Sequence, residues 1–219
     1  KAKGKRVVIC GGGWGGVTAA KHLRLLDPTL EVVLLERNPV FFSCPMSNKW
    51  LVDVVDAQFL TFSYLDVAQK YDYHYIQTEV TAFEREKKRV ITAQGWLDYD
   101  YLILGSGIRY NYEAWFGNDR KAADYTKAMF PAAYIPNAEH FKLKQSIQNF
   151  TGGDLVMTLP PPPHRCPPSP YERACLIAGL FKQRKIKGKV IILDPKPSPA
   201  PITGGFQDAF RELYKDQIV

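Results

Sequence analysis

The sequence predicts an α/β chain of two parallel-sheet domains, and three observations carry that expectation. A short apolar run, Arg6–Cys10, leads directly into Gly11-Gly-Gly13-Trp14-Gly15-Gly16 and then into a helical pattern. A second apolar run, Glu31–Glu36, ends in an acid 20 residues past Gly16. Far downstream, the runs Asp154–Leu159 and Lys189–Leu193 flank another helical pattern, so the order strand, loop, helix, strand is used twice. Strands that alternate with helices through short connections build parallel sheets with helices on their faces.

Taken in order, the first helix is expected to end at Leu26, with Val17, Ala20, Leu23 and Leu26 on one side and Asp27-Pro28 as its stop. Asn38–Leu51 reads as a loop rich in large side chains. A helix is expected over Tyr64–Tyr71, then strands over Tyr75–Val80, Val80–Arg85, Arg89–Ala93 and Trp96–Tyr99, the last three as a small antiparallel meander. Tyr101–Leu104 reads as a buried strand ending in Gly105-Ser106-Gly107. Ile108–Pro136 shows no period and is read as a crossing, which places the domains at 1–112 and 113–219. A helix over Ala138–Phe150 precedes the second strand–helix–strand frame, whose helix is expected over Tyr171–Gln183. A last amphipathic helix carries Phe206, Phe210 and Leu213.

With 219 residues, 46% apolar and 23% charged, the composition is that of a globular chain. No apolar run reaches the length of a membrane-spanning helix. The net charge of +7 comes from scattered lysines and arginines; no nucleic-acid module accompanies them, and the favoured reading is a plain solvated basic surface, which would still suit an acidic partner or an anionic substrate. Four cysteines are too few for a disulfide scaffold, and neither they nor the four dispersed histidines suggest a metal site. The chain opens at Lys1 with no apolar leader, as a trimmed export signal or a trimmed chain would.

Gly11, Gly13 and Gly16 have the spacing G-x-G-x-x-G, completed by Trp14 and Gly15. Such a loop gives a tight turn, close approach of a pyrophosphate, and anion binding at a helix N-terminus. Trp14 then has to point away from the phosphates. Glu36 suits both ribose hydroxyls and disfavours a 2′-phosphate, with Arg37 beside it; the plain alternative is a glycine turn without a ligand. The loop does not separate NAD from FAD. Tyr101–Leu104 with Gly105, Ser106 and Gly107 favours FAD, because two-nucleotide flavoproteins close their first FAD segment this way; an ordinary strand exit is the alternative. Val80 is counted with the same FAD-contacting set. Cys44, eight residues after Glu36, is placed to touch the flavin ring or to form a thioether at its 8α-methyl, against the simpler reading of a small loop residue.

Where the second frame would carry glycines it carries Leu159-Pro-Pro-Pro-Pro-His-Arg-Cys166-Pro-Pro. Prolines stiffen the backbone and remove amide donors, so this is no phosphate cradle. Cys166 precedes a helix and follows Arg165, two features that lower a thiol pKa; a buried structural cysteine is the alternative. Glu172, six residues on, is either a surface carboxylate favoured by the helix dipole or a proton acceptor beside the sulfur. Cys10 and Cys175 read as core residues.

The glycine loop, Phe-Ser-Cys44-Pro-Met-Ser-Asn-Lys, Leu-Gly105-Ser-Gly107 and above all Arg165-Cys-Pro-Pro-Ser-Pro-Tyr-Glu-Arg-Ala174 together resemble the flavoprotein subunit of flavocytochrome c sulfide dehydrogenase, among the disulfide-reductase-like flavoproteins. The resemblance implies two Rossmann-like three-layer domains, the first binding FAD and the second of degenerate NAD type. It implies a thioether from FAD to the residue matched by Cys44, and a redox-active disulfide of which Cys166 is one half. Hydrosulfide would open that disulfide, an electron pair would pass to the flavin, and single electrons would leave to a cytochrome c subunit in the periplasm. Glu172 matches a carboxylate beside this site. Cys44-Pro-Met stands where the family has Cys-Tyr-Leu. Family members continue past the position of Val219, and the partner of Cys166 belongs to that part, so a second polypeptide or C-terminal fragment is expected to complete the FAD domain. Two other readings stay open: a sulfide:quinone reductase relative, and a flavin electron-transfer subunit without sulfide chemistry.

Overall fold

The computed structural model describes residues 4–219. Their contacts form two compact units: the chain up to Ser43 with Leu60–Tyr110, and Cys44–Phe59 with Asn111–Val219. The excursion Cys44–Phe59, inside the stretch 1–112, thus groups with the second unit.

In chain order the first unit holds β1 (Arg6–Cys10), α1 (Trp14–Leu26), β2 (Glu31–Glu36) and β3 (Val40–Phe42); α2 (Ser47–Leu51) then belongs to the second unit. The first unit resumes with β4 (Thr61–Ser63), α3 (Tyr64–Tyr71), β5 (His74–Gln77), β6 (Val80–Glu84), β7 (Arg89–Thr92), β8 (Gly95–Asp98) and β9 (Tyr101–Leu104). A parallel sheet runs in the order β5-β2-β1-β9, with Arg6 opposite Glu31 and Cys10 opposite Leu35. Because strand side chains alternate, the fully apolar β1 and β2 cover two cores. Val7, Ile9, Val32 and Leu34 pack with Ala20, Phe41, Tyr64 and Ala68 on the helical face. Val8, Cys10, Val33 and Leu35 pack with Val90 under the antiparallel meander β6-β7-β8.

Three readings of this unit are corrected. Leu26 is 82% exposed, because the stripe that packs on the sheet ends at Leu23. Tyr101–Leu104 is an edge strand, and Tyr101 and Leu104 are exposed. Within Asn38–Leu51, β3 pairs antiparallel with β4 and α2 forms a helix; both are too short to show a period in sequence.

The second unit continues with α4 (Glu113–Phe116), α5 (Arg120–Met129), α6 (Ala138–Gln148), β10 (Gly153–Thr158), α7 (Ser169–Arg184), β11 (Gly188–Leu193) and α8 (Thr203–Asp208), which is extended by one π-type turn to Leu213. The stretch read as an aperiodic crossing therefore contains two helices. Helix α5 has no buried residue, and Asp119 caps it by accepting from the Ala122 N–H. β10 and β11 pair in parallel from Gly153 opposite Gly188 to Thr158 opposite Leu193. Between them α7 buries Ala174, Ile177, Ala178 and Phe181, at helical spacing. Phe181 stacks on Phe150 at 4.8 Å; burying a side chain of this size stabilises by about 1.5–3 kcal/mol.

Candidate functional site

In the first unit the turn after β1 is held open by its glycines. Gly11 has φ +104°, and a Cβ there would lie 2.4 Å from the Gly105 carbonyl oxygen. A Cβ on Gly16 would lie 1.8 Å from the Gly11 oxygen, so neither position takes a side chain. Gly12 is wedged between the Tyr64 ring and the Glu36 Cβ, and the Tyr64 hydroxyl donates to its carbonyl at 2.9 Å. Burial first, and Glu36 second, push the Tyr64 hydroxyl pKa upward, which keeps this donor protonated. Gly13 and Gly15, by contrast, face open space, and α1 starts at Gly13 with no capping side chain and no acid in its first turn. Its first N–H groups are free to receive an anion. Trp14, 54% exposed, sets its ring edge-on to Phe41 at 5.3 Å.

Glu36 sits at the end of β2 with its carboxylate already engaged. One oxygen accepts from the Gly12 N–H at 2.7 Å, and the other from the Asn38 N–H at 2.8 Å and its side-chain amide at 2.7 Å. A carboxylate offers about four acceptor directions, so one further donor is accommodated without rearrangement, rather than the two hydroxyls expected from sequence. Arg37 pairs with Glu79 at 3.7 Å on the surface, and Val80 opens β6 beside the second core. Gly105 packs against the Gly11 turn, its N–H donating to Cys10, while Gly107, at φ +79°, has open space beside it. Among the described residues no cluster of His, Cys, Asp and Glu is arranged to hold a metal.

The second unit holds three of the four cysteines. Cys44, just before α2, is half-buried and donates to the Tyr134 carbonyl at 3.5 Å. Arg165 donates to the same oxygen at 3.2 Å, which brings the Cys166 loop to Cys44. Burial pushes the Cys44 thiol up to about 11; Arg165 and Arg173 pull the other way, and Glu139 and Cys166 add to the rise. Cys166 is exposed, which removes the buried-structural reading, and its backbone takes the left-handed φ of +53°. Its carbonyl accepts from the Ser169 N–H at 3.0 Å, where α7 begins. Cys175 is only partly buried, not a full core residue, while Cys10 is buried as expected.

Glu172 is no free surface carboxylate: the buried Asn48 amide donates to it at 2.9 Å. The same amide donates to the Ser169 hydroxyl at 2.9 Å and accepts from Arg173 Nε at 2.9 Å. Arg173, only 7% exposed, also donates to the carbonyls of Ala132 and Ala133 and lies over the Tyr134 ring at 4.9 Å. Asn48, Tyr134, Ser169 and Arg173 are functional candidates that sequence reasoning did not single out. Asn48 lay in the Ser-Asn-Lys string and Ser169 and Arg173 in the string after Cys166, while Tyr134 carried no signal. His140, fully buried, has its pKa lowered to about 4 by burial and then by the Arg173 charge, against a raising hydrogen bond to Ile135.

Two family models cover the chain. That of the pyridine nucleotide-disulphide oxidoreductases matches residues 5–148, and that of the central part of the sulfide dehydrogenase (flavocytochrome c) flavoprotein chain matches residues 141–219. The flavoprotein chain of that name from Chlorobaculum thiosulfatiphilum is 54% identical over 44 residues, 20% of this chain and 92% of the relative. The sulfide-quinone reductase of Aquifex aeolicus is 25% identical over 189 residues, 85% of this chain and 41% of the relative. In structure, the sulfide:quinone oxidoreductase of Aquifex aeolicus superimposes with a TM-score of 0.73 at 20% identity, over 98% of this chain and 50% of that one. NDH2 of Plasmodium falciparum, solved with NADH, gives 0.69 at 17% identity over 95% and 46%. These structural likenesses establish the fold. The chain spans about half or less of the length of these longer relatives.

Proposed function

This chain belongs to the pyridine nucleotide-disulphide oxidoreductases, among the relatives of the sulfide dehydrogenase (flavocytochrome c) flavoprotein chain, and from that premise we propose that it oxidises hydrosulfide at a cysteine and flavin centre and passes the electrons to a cytochrome c. The observation that carries the reading is the meeting of Cys44 and the Cys166 loop on one carbonyl, Tyr134, to which Glu172 is linked through Asn48 and Ser169. The FAD fits the first unit. The uncapped start of α1 and open Gly13 and Gly15 would receive the pyrophosphate, and Glu36 would take a ribose hydroxyl. When bound, FAD supplies a two-electron acceptor that can release its electrons one at a time.

The residues of this chain do the sulfur and proton work. Cys166, exposed and aimed by a proline-fenced loop, is held in a disulfide whose other half comes from a segment or polypeptide that completes the FAD domain. Hydrosulfide opens that bond: its sulfur joins one cysteine as a persulfide, and the other leaves as a thiolate carrying the electron pair destined for the flavin. Glu172 takes the proton released when hydrogen sulfide enters as hydrosulfide. When FAD is bound, Cys44 would hold it through a thioether, the two electrons released by forming that bond passing to the flavin itself. That bond needs the thiolate, which burial opposes and the charges of Arg165 and Arg173 favour. The reading also places the protein in the periplasm.

The test is sulfide-driven bleaching of the flavin absorbance in the flavin-loaded protein. Cys166→Ala should abolish it, and bleaching at the unmutated rate would reject the thiol's role. Denatured, desalted protein should keep its flavin, and Cys44→Ser should release it. The likeness to a sulfide-quinone reductase over 85% of the chain favours one second reading, with a quinone as the acceptor. Reoxidation by a soluble quinone but not by cytochrome c would select it.

A further inference from the structure

We propose that Asn48 is the positioning residue for Glu172: it fixes one carboxylate oxygen and leaves the other free to receive a proton. The inference rests on the reading of Glu172 as proton acceptor given above. Asn48 sits on α2, 124 residues from Glu172 on α7, and it is 5% exposed, so its amide must be paired inside the protein. The orientation of that amide is set by its neighbours. Arg173 Nε has only a hydrogen to offer and donates to Asn48 Oδ1, so Nδ2 must face the opposite way. Nδ2 has two hydrogens. Ser169, through its hydroxyl at 2.9 Å and carbonyl at 3.2 Å, shares one; Glu172 Oε2, at 2.9 Å, takes the other.

Arg173 is in turn anchored by the carbonyls of Ala132 and Ala133, the latter in a left-handed turn at φ +55°. The amide therefore cannot flip without breaking several bonds at once. Glu172 Oε1 has no partner among the described residues. The carboxylate is thus held by one oxygen and open at the other, the geometry a fixed proton acceptor needs. Other charged and titratable groups grouped here are Arg165, Arg173, Glu139, His140, Cys44 and Cys175.

Asn48→Asp separates positioning from scaffolding. An aspartate keeps an acceptor for Arg173 but turns an acceptor, not a donor, toward Glu172. In flavin-loaded protein this variant should melt near the unmutated temperature, yet lower kcat for sulfide-driven bleaching about tenfold or more with KM little changed. In a Glu172→Gln background it should add nothing to the loss already incurred. Full turnover in Asn48→Asp beside a crippled Glu172→Gln, or equal losses in both backgrounds, overturns the positioning role alone. Unmutated turnover in Glu172→Gln overturns the proton-acceptor role and this proposal with it. A measurement on the unmutated, flavin-free protein needs neither turnover nor a variant: the ¹³C order parameter of the Glu172 side chain should match rigid backbone, about 0.85, and a value below about 0.6 overturns the proposal.

Discussion

The two strand–loop–helix–strand frames share a plan and differ in which part of the chain faces the chemistry. After β1 the loop is all backbone: Gly11 and Gly16 approach neighbouring carbonyls so closely that no side chain fits, and α1 begins uncapped. After β10 the corresponding loop carries prolines at 160–163 and again at 167 and 168, and what it presents is a thiol. Backbone amides suit an anion that is held and kept, and side chains suit a group that must change its bonds. The same frame can therefore serve as a cradle or as a mount, according to whether glycine or proline occupies its loop.

The sharpest way to break this comparison is at Gly16. Gly16→Ala should cost about 3 kcal/mol or more and remove FAD, because its Cβ meets backbone at 1.8 Å. Gly15→Ala, facing the open space assigned to the pyrophosphate, should leave stability unchanged and only loosen the flavin. Gly179→Ala in α7, whose Cβ would meet only the Tyr214 hydroxyl at 3.5 Å, should be neutral or stabilise by up to about 1 kcal/mol. Chemical denaturation with flavin retention reads all three, and equal losses at Gly16 and Gly179 would erase the contrast between the frames.

Acid should single out the second unit. His140 has a folded pKa of about 4 against the ordinary 6.5, so the unfolded chain takes the proton first. Its contribution is complete above about pH 6.5, falls as the pH drops toward 4 and is level below that, by at most about 3 kcal/mol. Hydrogen exchange between pH 7 and 4 should rise in α6 and α7 before it rises in β1 and β2, and His140→Gln should flatten the difference. A uniform rise across both units would count against it.

Smallest in effect is the difference between the sulfurs. In reduced, flavin-free protein at pH 8, iodoacetamide should label exposed Cys166 at least about tenfold faster than Cys44, whose labelling should climb through pH 10 and 11 as its thiol ionises. Mass mapping of the alkylated peptides checks this.

The cradle was legible in the sequence because its physics is local: an apolar run, glycines at fixed spacing, a helix and an acid lie within Arg6–Glu36. The prolines around Cys166 were legible for the same reason. The grip of Asn48 on Glu172 was not, since no period or spacing encodes a contact across 124 residues. Helix α2 was missed because five residues are too short for a stripe. The engagement of Glu36 by Asn38 was within reach: an Asn two residues after a strand-ending acid folds back readily.

Cys166 holds a left-handed backbone that only glycine adopts freely, at an expense of about 1–2 kcal/mol for any other residue. Alanine at that position would remove the sulfur and leave the tension in the loop, whereas glycine would remove both. The direction in which the thiol points is thus imposed by its surroundings against the residue's own inclination. Sulfur chemistry and local repose cannot both be had at that position.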